Sequence, residues 1–249
     1  KVLKFMKDID FLDFCFAIIS LILWQVFQTK TPHPIYVPPD YSSVNFPRAK
    51  QSTITKQFLE RIIYFGSLLF ISLFYILSNN FPSKFPRFKL FPSIWFLIIS
   101  NSLPLFITCY LKSYVGWPRP DMYQVCGYNS NYQTCNSTKK DKEFLSWPSY
   151  HSTQAMSGAT YLAFFIQKFG GQFLLFNILG IVMFFLAFLA SSTRIKEYYH
   201  HPDDVTAGLL IGFVIPFFVW LGAKKRIFIK SKIASPPNDQ IPVTDNQLQ

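Results

Sequence analysis

Three short polar clusters, far apart in the chain, hold residues that could bind an anion and transfer protons. They are KSYVGWPRP (112–120), WPSYHS (147–152) and TRIKEYYHHPDD (193–204). Their candidate functional residues are Lys112, Arg119, Ser149, His151, Arg194, His200 and Asp204. Cations combined with imidazoles and a carboxylate are groups that phosphoryl chemistry can use.

The cations of these clusters suit a phosphate group. Arg119 and Arg194 each present a planar guanidinium that can bind two phosphate oxygens, and Lys112 adds a third positive charge. Ser149 stands at the predicted start of a helix, where free backbone N–H groups and the helix dipole favour an anion. Taken singly, Lys112 and Arg119 could instead be charges that extend from a membrane helix to lipid headgroups.

The histidines could supply nucleophilic and acid–base chemistry. His200 precedes Asp204 by four residues, a spacing at which the carboxylate can accept the imidazole N–H and fix the tautomer. His151 could then work as a general acid and base. The alternatives are an interfacial polar residue at His151 and a surface pair at His200 and His201. A zinc site is disfavoured because the chain has no H-E-x-x-H and no Cys/His quartet at ligand spacing.

The composition places these clusters in a membrane protein. Of the 249 residues, 50% are hydrophobic and 15% are charged, and the formal net charge is +11. Apolar runs, uncharged apart from Asp13, occupy 11–26, 62–77, 90–111, 152–167, 170–193 and 205–223. The fold expected is therefore all-α: a polytopic bundle of six transmembrane helices in residues 1–232, followed by a disordered polar tail at 233–249. The positive charge then fits lipid headgroups and an anionic substrate better than a nucleic acid.

Six crossings put all three clusters on one side of the membrane. The loop between the first two clusters carries Cys126 and Cys135, for which we predict a disulfide; two free loop thiols are the alternative. The same loop has a glycosylation sequon at Asn136. Both modifications belong to the lumenal or extracellular side, so we expect a multi-pass protein of the plasma membrane or an endomembrane, with cytoplasmic termini.

The spacing K-x6-R-P, then P-S-x-H, then R-x5-H-x3-D resembles the type 2 phosphatidic acid phosphatase family, also called lipid phosphate phosphatases. The motifs cover residues 112–204, and the six-span layout extends the resemblance to most of the chain. The resemblance implies that His200 attacks phosphorus to form a phosphohistidine and that Asp204 orients His200. It implies that His151 protonates the leaving alkoxide and then activates water. The residues implied to hold the phosphoryl oxygens are Lys112, Arg119, Ser149 and Arg194.

Fixed cations can stabilise the charge on the phosphoryl oxygens in the place of Mg²⁺. The motifs contain no evident carboxylate cage for a metal, so we expect no metal and no other cofactor. Two positions depart from the family pattern: Tyr150 stands where Gly is usual, and Thr193 stands where Ser is usual. Tyr150 could narrow the pocket, add a hydroxyl or impair catalysis, and we expect Tyr150→Gly not to reduce activity.

The sequence therefore predicts a metal-independent phosphatase of lipid phosphate monoesters, such as phosphatidic acid, lysophosphatidic acid and sphingosine 1-phosphate. The expected partners are this substrate and the surrounding membrane lipids, with no nucleic acid; a homo-oligomer is left open. One alternative is a phosphatase of diacylglycerol pyrophosphate or polyprenyl pyrophosphate. Others are a catalytically silent protein that binds lipid phosphates and an anion transporter that uses the cations as a gate.

Overall fold

A computed structural model describes residues 10–229 of the chain. The tail predicted at 233–249 lies outside the described residues. Within the described range the structure is helical, and its one pairing of extended backbone is an isolated bridge between Phe88 and Phe228. The all-α fold class expected from the apolar runs is confirmed for this part of the chain.

The described helices are, in chain order, α1 (Phe11–Phe27), α2 (Lys56–Asn80), α3 (Leu90–Val115), α4 (Met122–Cys126), α5 (Lys140–Glu143), α6 (Tyr150–Gly170), α7 (Leu174–Lys196) and α8 (Pro202–Ile227). A π-helical turn, Ile62–Gly66, interrupts α2. The loop between α1 and α2 contains a short 3₁₀ turn, Ser42–Val44. The short helices α4 and α5 lie in the loop between α3 and α6.

Four of the described helices, α2, α3, α7 and α8, are long and apolar enough to cross a membrane. They indicate an integral membrane protein. α1 is apolar but has only 17 residues. α6 is less apolar because its buried face includes polar side chains, among them Thr153, Gln154 and Ser157. Six crossings therefore stay a prediction.

α6 lies at the centre of the bundle, where it packs against α3, α7 and α8. Gly208 and Gly212 allow α8 to approach it closely. A Cβ at Gly208 would lie 2.6 Å from the carbonyl oxygen of Ser149, and one at Gly212 would lie 2.5 Å from that of Thr153. This approach joins the starts of α6 and α8, because the backbone N–H of Ser149 donates to the carbonyl of Asp204 at 2.8 Å.

An aromatic core holds the helices together at the end of the bundle away from these two helix starts. Phe74 stacks on Phe169 with ring centroids 4.5 Å apart, and Phe88 meets Phe165 edge to face at 5.1 Å. Trp220 packs against the same cluster. Such pairs add to the free energy gained from burying the rings. The three polar clusters lie at the opposite end of the bundle.

Candidate active site

A cavity of about 440 Å³ lies at the end of the bundle where α3 and α7 finish and α6 begins. Five of the seven predicted site residues line it: Lys112, Arg119, His151, Arg194 and His200. The structure thus brings all three sequence clusters to one cavity. The other two predicted residues, Ser149 and Asp204, are fully buried next to it and do not line it.

His200 and Asp204 contact each other as their spacing predicts. His200 is the residue before the N-cap of α8, and its Nδ1 lies 3.3 Å from Oδ2 of Asp204. Ser146 completes this contact: its hydroxyl donates to the same carboxylate oxygen at 2.5 Å and lies 3.4 Å from His200 Nδ1. An imidazole whose Nδ1 is held by a carboxylate has its other nitrogen left for chemistry.

His201 is placed differently from His200, although it contacts the same carboxylate. Its Nδ1 lies 3.4 Å from Asp204 Oδ2, and its Nε2 lies 3.0 Å from the carbonyl oxygen of Ser43. Both ring nitrogens of His201 therefore have protein partners, and His201 does not line the cavity. Of the two adjacent histidines, only His200 faces the space that a substrate could occupy.

The pKa values of the two histidines are also shifted in opposite directions. Burial lowers the pKa of His200 well below its usual range; the nearby Arg119 and Lys112 act in the same direction and the hydrogen bond to Asp204 opposes it. For His201, burial also acts to lower the pKa, but the contacts with Asp204 and the Ser43 carbonyl outweigh it and raise the pKa. His200 is thus neutral near pH 7, as a nucleophile must be.

The cations are held in place largely by backbone carbonyls. Lys112 Nζ donates to the carbonyls of Leu145 and Ser146, each at 2.8 Å. Arg119 donates from Nε to the carbonyl of Lys142 at 2.7 Å and from a terminal nitrogen to that of Tyr199 at 3.0 Å. Carbonyls fix a cation without cancelling its charge, so both residues stay available to attract an anion.

Arg194 differs because it is already paired with a carboxylate. Its guanidinium donates to Glu197 Oε2 at 2.7 Å and to the Thr193 hydroxyl. Glu197 also accepts from the backbone N–H of Thr53, at 2.6 Å, in the loop between α1 and α2. Glu197 therefore fixes Arg194 and connects the end of α7 to that loop.

Two site positions come at the start of α6. Ser149 is the N-cap of this helix, and its hydroxyl oxygen accepts from the Ser152 hydroxyl at 3.0 Å and from the Ser152 N–H. His151 follows in the first turn and lines the cavity. Its buried Nε2 has no hydrogen-bond partner within the described residues. A buried polar atom without a partner beside an open cavity is suited to meet a ligand.

Further polar residues at the cavity, among them Arg48 and Glu143 in its wall, were not predicted from the sequence. Arg48, from the loop between α1 and α2, bridges two buried carboxylates: it lies 2.5 Å from Asp121 and donates to Glu143 at 2.9 Å. Nothing local in the sequence marks Arg48 or Ser146. Glu197 had a signal, since it follows Arg194 by three residues on a helix, where such pairs meet.

Tyr150, the departure from the family motif, forms part of the cavity wall. Its hydroxyl donates to Glu60 at 3.2 Å, and Lys56 Nζ lies 4.8 Å from the centre of its ring. Lys56 is also 3.6 Å from Glu60. Tyr150 therefore links α6 to the first two turns of α2 through hydrogen-bonded and charged contacts with Glu60 and Lys56.

The loop between α3 and α6 carries the predicted modifications. Cys126 and Cys135 form a disulfide in the structure, with their Cα atoms 4.6 Å apart. Asn136, which follows at once, is exposed. Its glycosylation stays a prediction.

Within residues 10–229, one group of side chains has the geometry to hold a metal ion: the potential ligand atoms of His201, Asp203 and Asp204 lie within 4.8 Å of one another. This set fits a metal poorly. One oxygen of Asp204 is already shared by Ser146 and the backbone N–H of His201, and Asp203 is exposed. The absence of a metal requirement stays an expectation.

The long apolar helices indicate an integral membrane protein, and one end of its bundle holds a cavity lined by cations and histidines. The family model described as the PAP2 superfamily matches residues 93–228, more than half of the chain, and these residues include all three clusters. The chain therefore belongs to the PAP2 superfamily, which confirms the resemblance found in the motifs.

Curated relatives agree with this assignment. The chain is 30% identical over 129 residues to "Probable lipid phosphate phosphatase 4" of Arabidopsis thaliana, covering 45% of this chain and 41% of that protein. It is 26% identical over 198 residues to "Probable diacylglycerol pyrophosphate phosphatase 1" of Schizosaccharomyces pombe, covering 72% and 68%. It is 25% identical over 196 residues to "Phospholipid phosphatase 1" of Rattus norvegicus, covering 73% and 70%. The match thus spans about two fifths of the Arabidopsis protein and about two thirds of the yeast protein. No solved structure matches this chain.

Proposed function

We propose that this protein is a phosphatase of lipid phosphate monoesters that works through a phosphohistidine and needs no metal. The observation that carries the proposal is the convergence of the His200–Asp204 pair and three cations on one cavity of about 440 Å³. The family and the names of the relatives support a lipid phosphatase.

The first half of the reaction forms the covalent intermediate. Neutral His200 attacks phosphorus through Nε2, the N–P bond forms, and the bond from phosphorus to the lipid oxygen breaks. Asp204 accepts the Nδ1–H and stabilises the positive charge that develops on the ring. The negative charge of the bound phosphate favours the protonated form of His151, which donates its proton to the leaving alkoxide, so the dephosphorylated lipid departs as an alcohol. Lys112, Arg119 and Arg194 stabilise the phosphoryl oxygens, and Ser149, buried beside the cavity, caps the start of α6 and so positions His151.

The second half of the reaction releases phosphate. His151, now neutral, takes a proton from water as the water oxygen attacks phosphorus. The N–P bond breaks, His200 regains its electron pair, and inorganic phosphate leaves. Both halves use the same fixed cations, which need no reorganisation between the two steps.

The proposal includes a topology of six crossings with the cavity at the lumenal or extracellular face and cytoplasmic termini. The six long helices α1, α2, α3, α6, α7 and α8 each have one end at or next to the cavity. The disulfide between Cys126 and Cys135 and the exposed Asn136 lie in the loop at that same end. Replacing Asn136 with Gln in a eukaryotic host should remove a glycan mass shift; an unchanged mass would contradict this orientation.

A second candidate substrate class is a lipid pyrophosphate. The Schizosaccharomyces pombe relative, which aligns over 198 residues, is named as a probable diacylglycerol pyrophosphate phosphatase. The chemistry is the same and only the leaving group changes, from a lipid alkoxide to a lipid phosphate.

The test is phosphate release from purified protein in EDTA, across a panel of phosphatidic acid, lysophosphatidic acid, sphingosine 1-phosphate and diacylglycerol pyrophosphate. His200→Ala should reduce the rate by about 10³-fold or more, since it removes the nucleophile. His201→Ala is the matched control and should retain most activity, because His201 does not line the cavity. Binding without any release would identify a silent lipid-phosphate binder, and the reverse mutant pattern would refute His200 as the nucleophile.

A further inference from the structure

A second cavity, apolar throughout, adjoins the polar one. We call it the apolar groove: it lies between α2, α6 and α7 and encloses about 230 Å³. Its inner surface consists of small residues on two helices, chiefly Ala155 and Ala159 of α6 and Ala187 and Ala190 of α7. Every residue that lines it is apolar.

We propose that the apolar groove binds one acyl chain of the lipid whose phosphate occupies the polar cavity. The proposal rests on the proposed function and adds to it the place where the substrate chain lies. A groove in a membrane protein could instead hold any bulk lipid, so the argument depends on its relation to the polar cavity.

The two cavities follow one another along the same two helices. On α6, His151 lines the polar cavity and Ala155, about one turn later, lines the groove. On α7, Arg194 lines the polar cavity and Ala190, about one turn earlier, lines the groove. A lipid phosphate held by these cations would therefore have its chain at the mouth of the groove.

The segment that enters α2 makes the same transition within two residues. Ile54 lines the groove and Thr55 lines the polar cavity. In three separate parts of the chain, the residues that line the polar cavity are thus followed directly by residues that line the groove. A ligand with a polar head and an apolar chain needs such a boundary, with its head on one side and its chain on the other.

The groove runs along the bundle far enough for part of an extended chain. From Ala155 to Leu162, the first and last groove residues on α6, the helix rises by about 10 Å. The rim residues Phe58 and Ile62 of α2 are each more than half exposed, and Leu186 of α7 is 48% exposed. The groove is therefore open along its side, where a chain could enter from the bilayer.

The small residues keep this space open between helices that touch elsewhere. At Gly158, α2 and α6 are in close contact: a Cβ there would lie 2.9 Å from Ile63 Cγ2. The alanines on either side of Gly158 present only methyl groups, which leaves the neighbouring volume unfilled. Lipid tails are as apolar as the groove, so the groove should orient the substrate more than it adds affinity.

The first test fills the groove and compares two substrates. Ala159→Phe and Ala187→Phe should lower kcat/KM for dioleoyl phosphatidic acid, relative to that for glycerol 3-phosphate, by about tenfold or more, because misplacing a reacting group is costly. Gly222→Phe is the matched control, since Gly222 has nothing within 4 Å of its Cβ position and lies on α8 away from the groove. An unchanged ratio in folded filling variants would overturn the proposal.

The second test does not depend on how the filling variants fold. Phosphatidic acid with a diazirine in the middle of one acyl chain is photolysed with the His200→Ala protein, and the adducts are mapped by mass spectrometry. We expect adducts on Phe58, Ile62 and Leu186, and inorganic phosphate added in excess should reduce them. Adducts confined to other helices, or adducts at the groove that phosphate does not affect, would overturn the assignment.

The outcomes of these tests distinguish a failure of the groove proposal from a failure of the proposed function. If the wild-type protein releases no phosphate from any lipid, the proposed function fails, whereas phosphate-sensitive labelling of the groove would still show a headgroup-linked chain site. If the wild-type protein hydrolyses phosphatidic acid and the label lies elsewhere, only the groove proposal fails.

Discussion

Ser146 offers the sharpest test of how the site is held together, because no motif marks it and only the structure connects it to the nucleophile. Its hydroxyl donates to Asp204 Oδ2 at 2.5 Å, and its side chain is fully buried. Ser146→Ala removes this donor from a charged acceptor that orients His200. The carbonyl of residue 146, which accepts from Lys112, is unchanged by the substitution.

The size of the effect follows from the strength of such a bond. Hydrogen bonds to charged groups contribute about 1.5–3 kcal/mol, and each 1.36 kcal/mol corresponds to tenfold in rate, so Ser146→Ala should lower kcat by about 10- to 150-fold. KM should change little, since Lys112 and the two arginines still bind the phosphoryl group. Rapid-quench measurement of phosphohistidine formation would show whether the loss falls on the first chemical step.

A control and a double mutant make this prediction refutable. Ser157 is an equally buried serine on α6 whose hydroxyl contacts Asn101 instead of the site, so Ser157→Ala should keep near wild-type kcat. In an Asp204→Asn background, Ser146→Ala should cost much less than in the wild type, because the acceptor that it orients has already been changed. A folded Ser146→Ala protein with unchanged kcat, or fully additive effects in the double mutant, would refute the positioning role.

Two further predictions concern the neighbouring histidines and Tyr150. Because the folded-state pKa of His200 is lowered, His200 should stay neutral below the usual histidine pKa of about 6.5 and protonate only at lower pH, whereas His201 should protonate above that value. Imidazole ¹⁵N shifts followed by NMR would test this, and His200 titrating above His201 would contradict the electrostatic assignment. Tyr150→Phe removes only the hydrogen bond to Glu60 and should lower the free energy of unfolding by about 0.5–1.5 kcal/mol, with kcat within a few-fold of wild type. Thermal melting and steady-state assays would check it, and a large fall in kcat without loss of stability would give the hydroxyl a direct role in the reaction.

The apolar runs correctly predicted which segments are helical, but they predicted the ends of the helices less well. The run at 62–77 lies inside α2, which starts earlier, at Lys56, because Thr55 caps it and accepts from the Phe58 N–H at 3.2 Å. The charges of Lys56, Glu60 and Arg61 kept the first two turns of α2 outside the predicted run. This polar segment reaches the cavity, and its Lys56 and Glu60 contact Tyr150.

The site residues could be predicted wherever the chemistry depends on short spacing. His200 and Asp204 are four residues apart, and the start of α8 brings them together with little help from the rest of the fold. Lys112 and Arg119 flank Gly116, which ends α3 with φ of 60°. A Cβ at Gly116 would overlap the backbone of His33, so this turn needs glycine.

Hydrophobicity, charge and short spacings act locally, so the sequence sufficed to predict the class of protein, the helical fold and five of the residues that line the cavity. The residues that support these five depend on the tertiary structure. Ser146 and Asp204 are 58 residues apart, and Arg48 and Glu143 are 95 apart. Contacts over such separations depend on how helices pack and where loops run. The same packing faces His200 toward the cavity and occupies His201 with the Ser43 carbonyl.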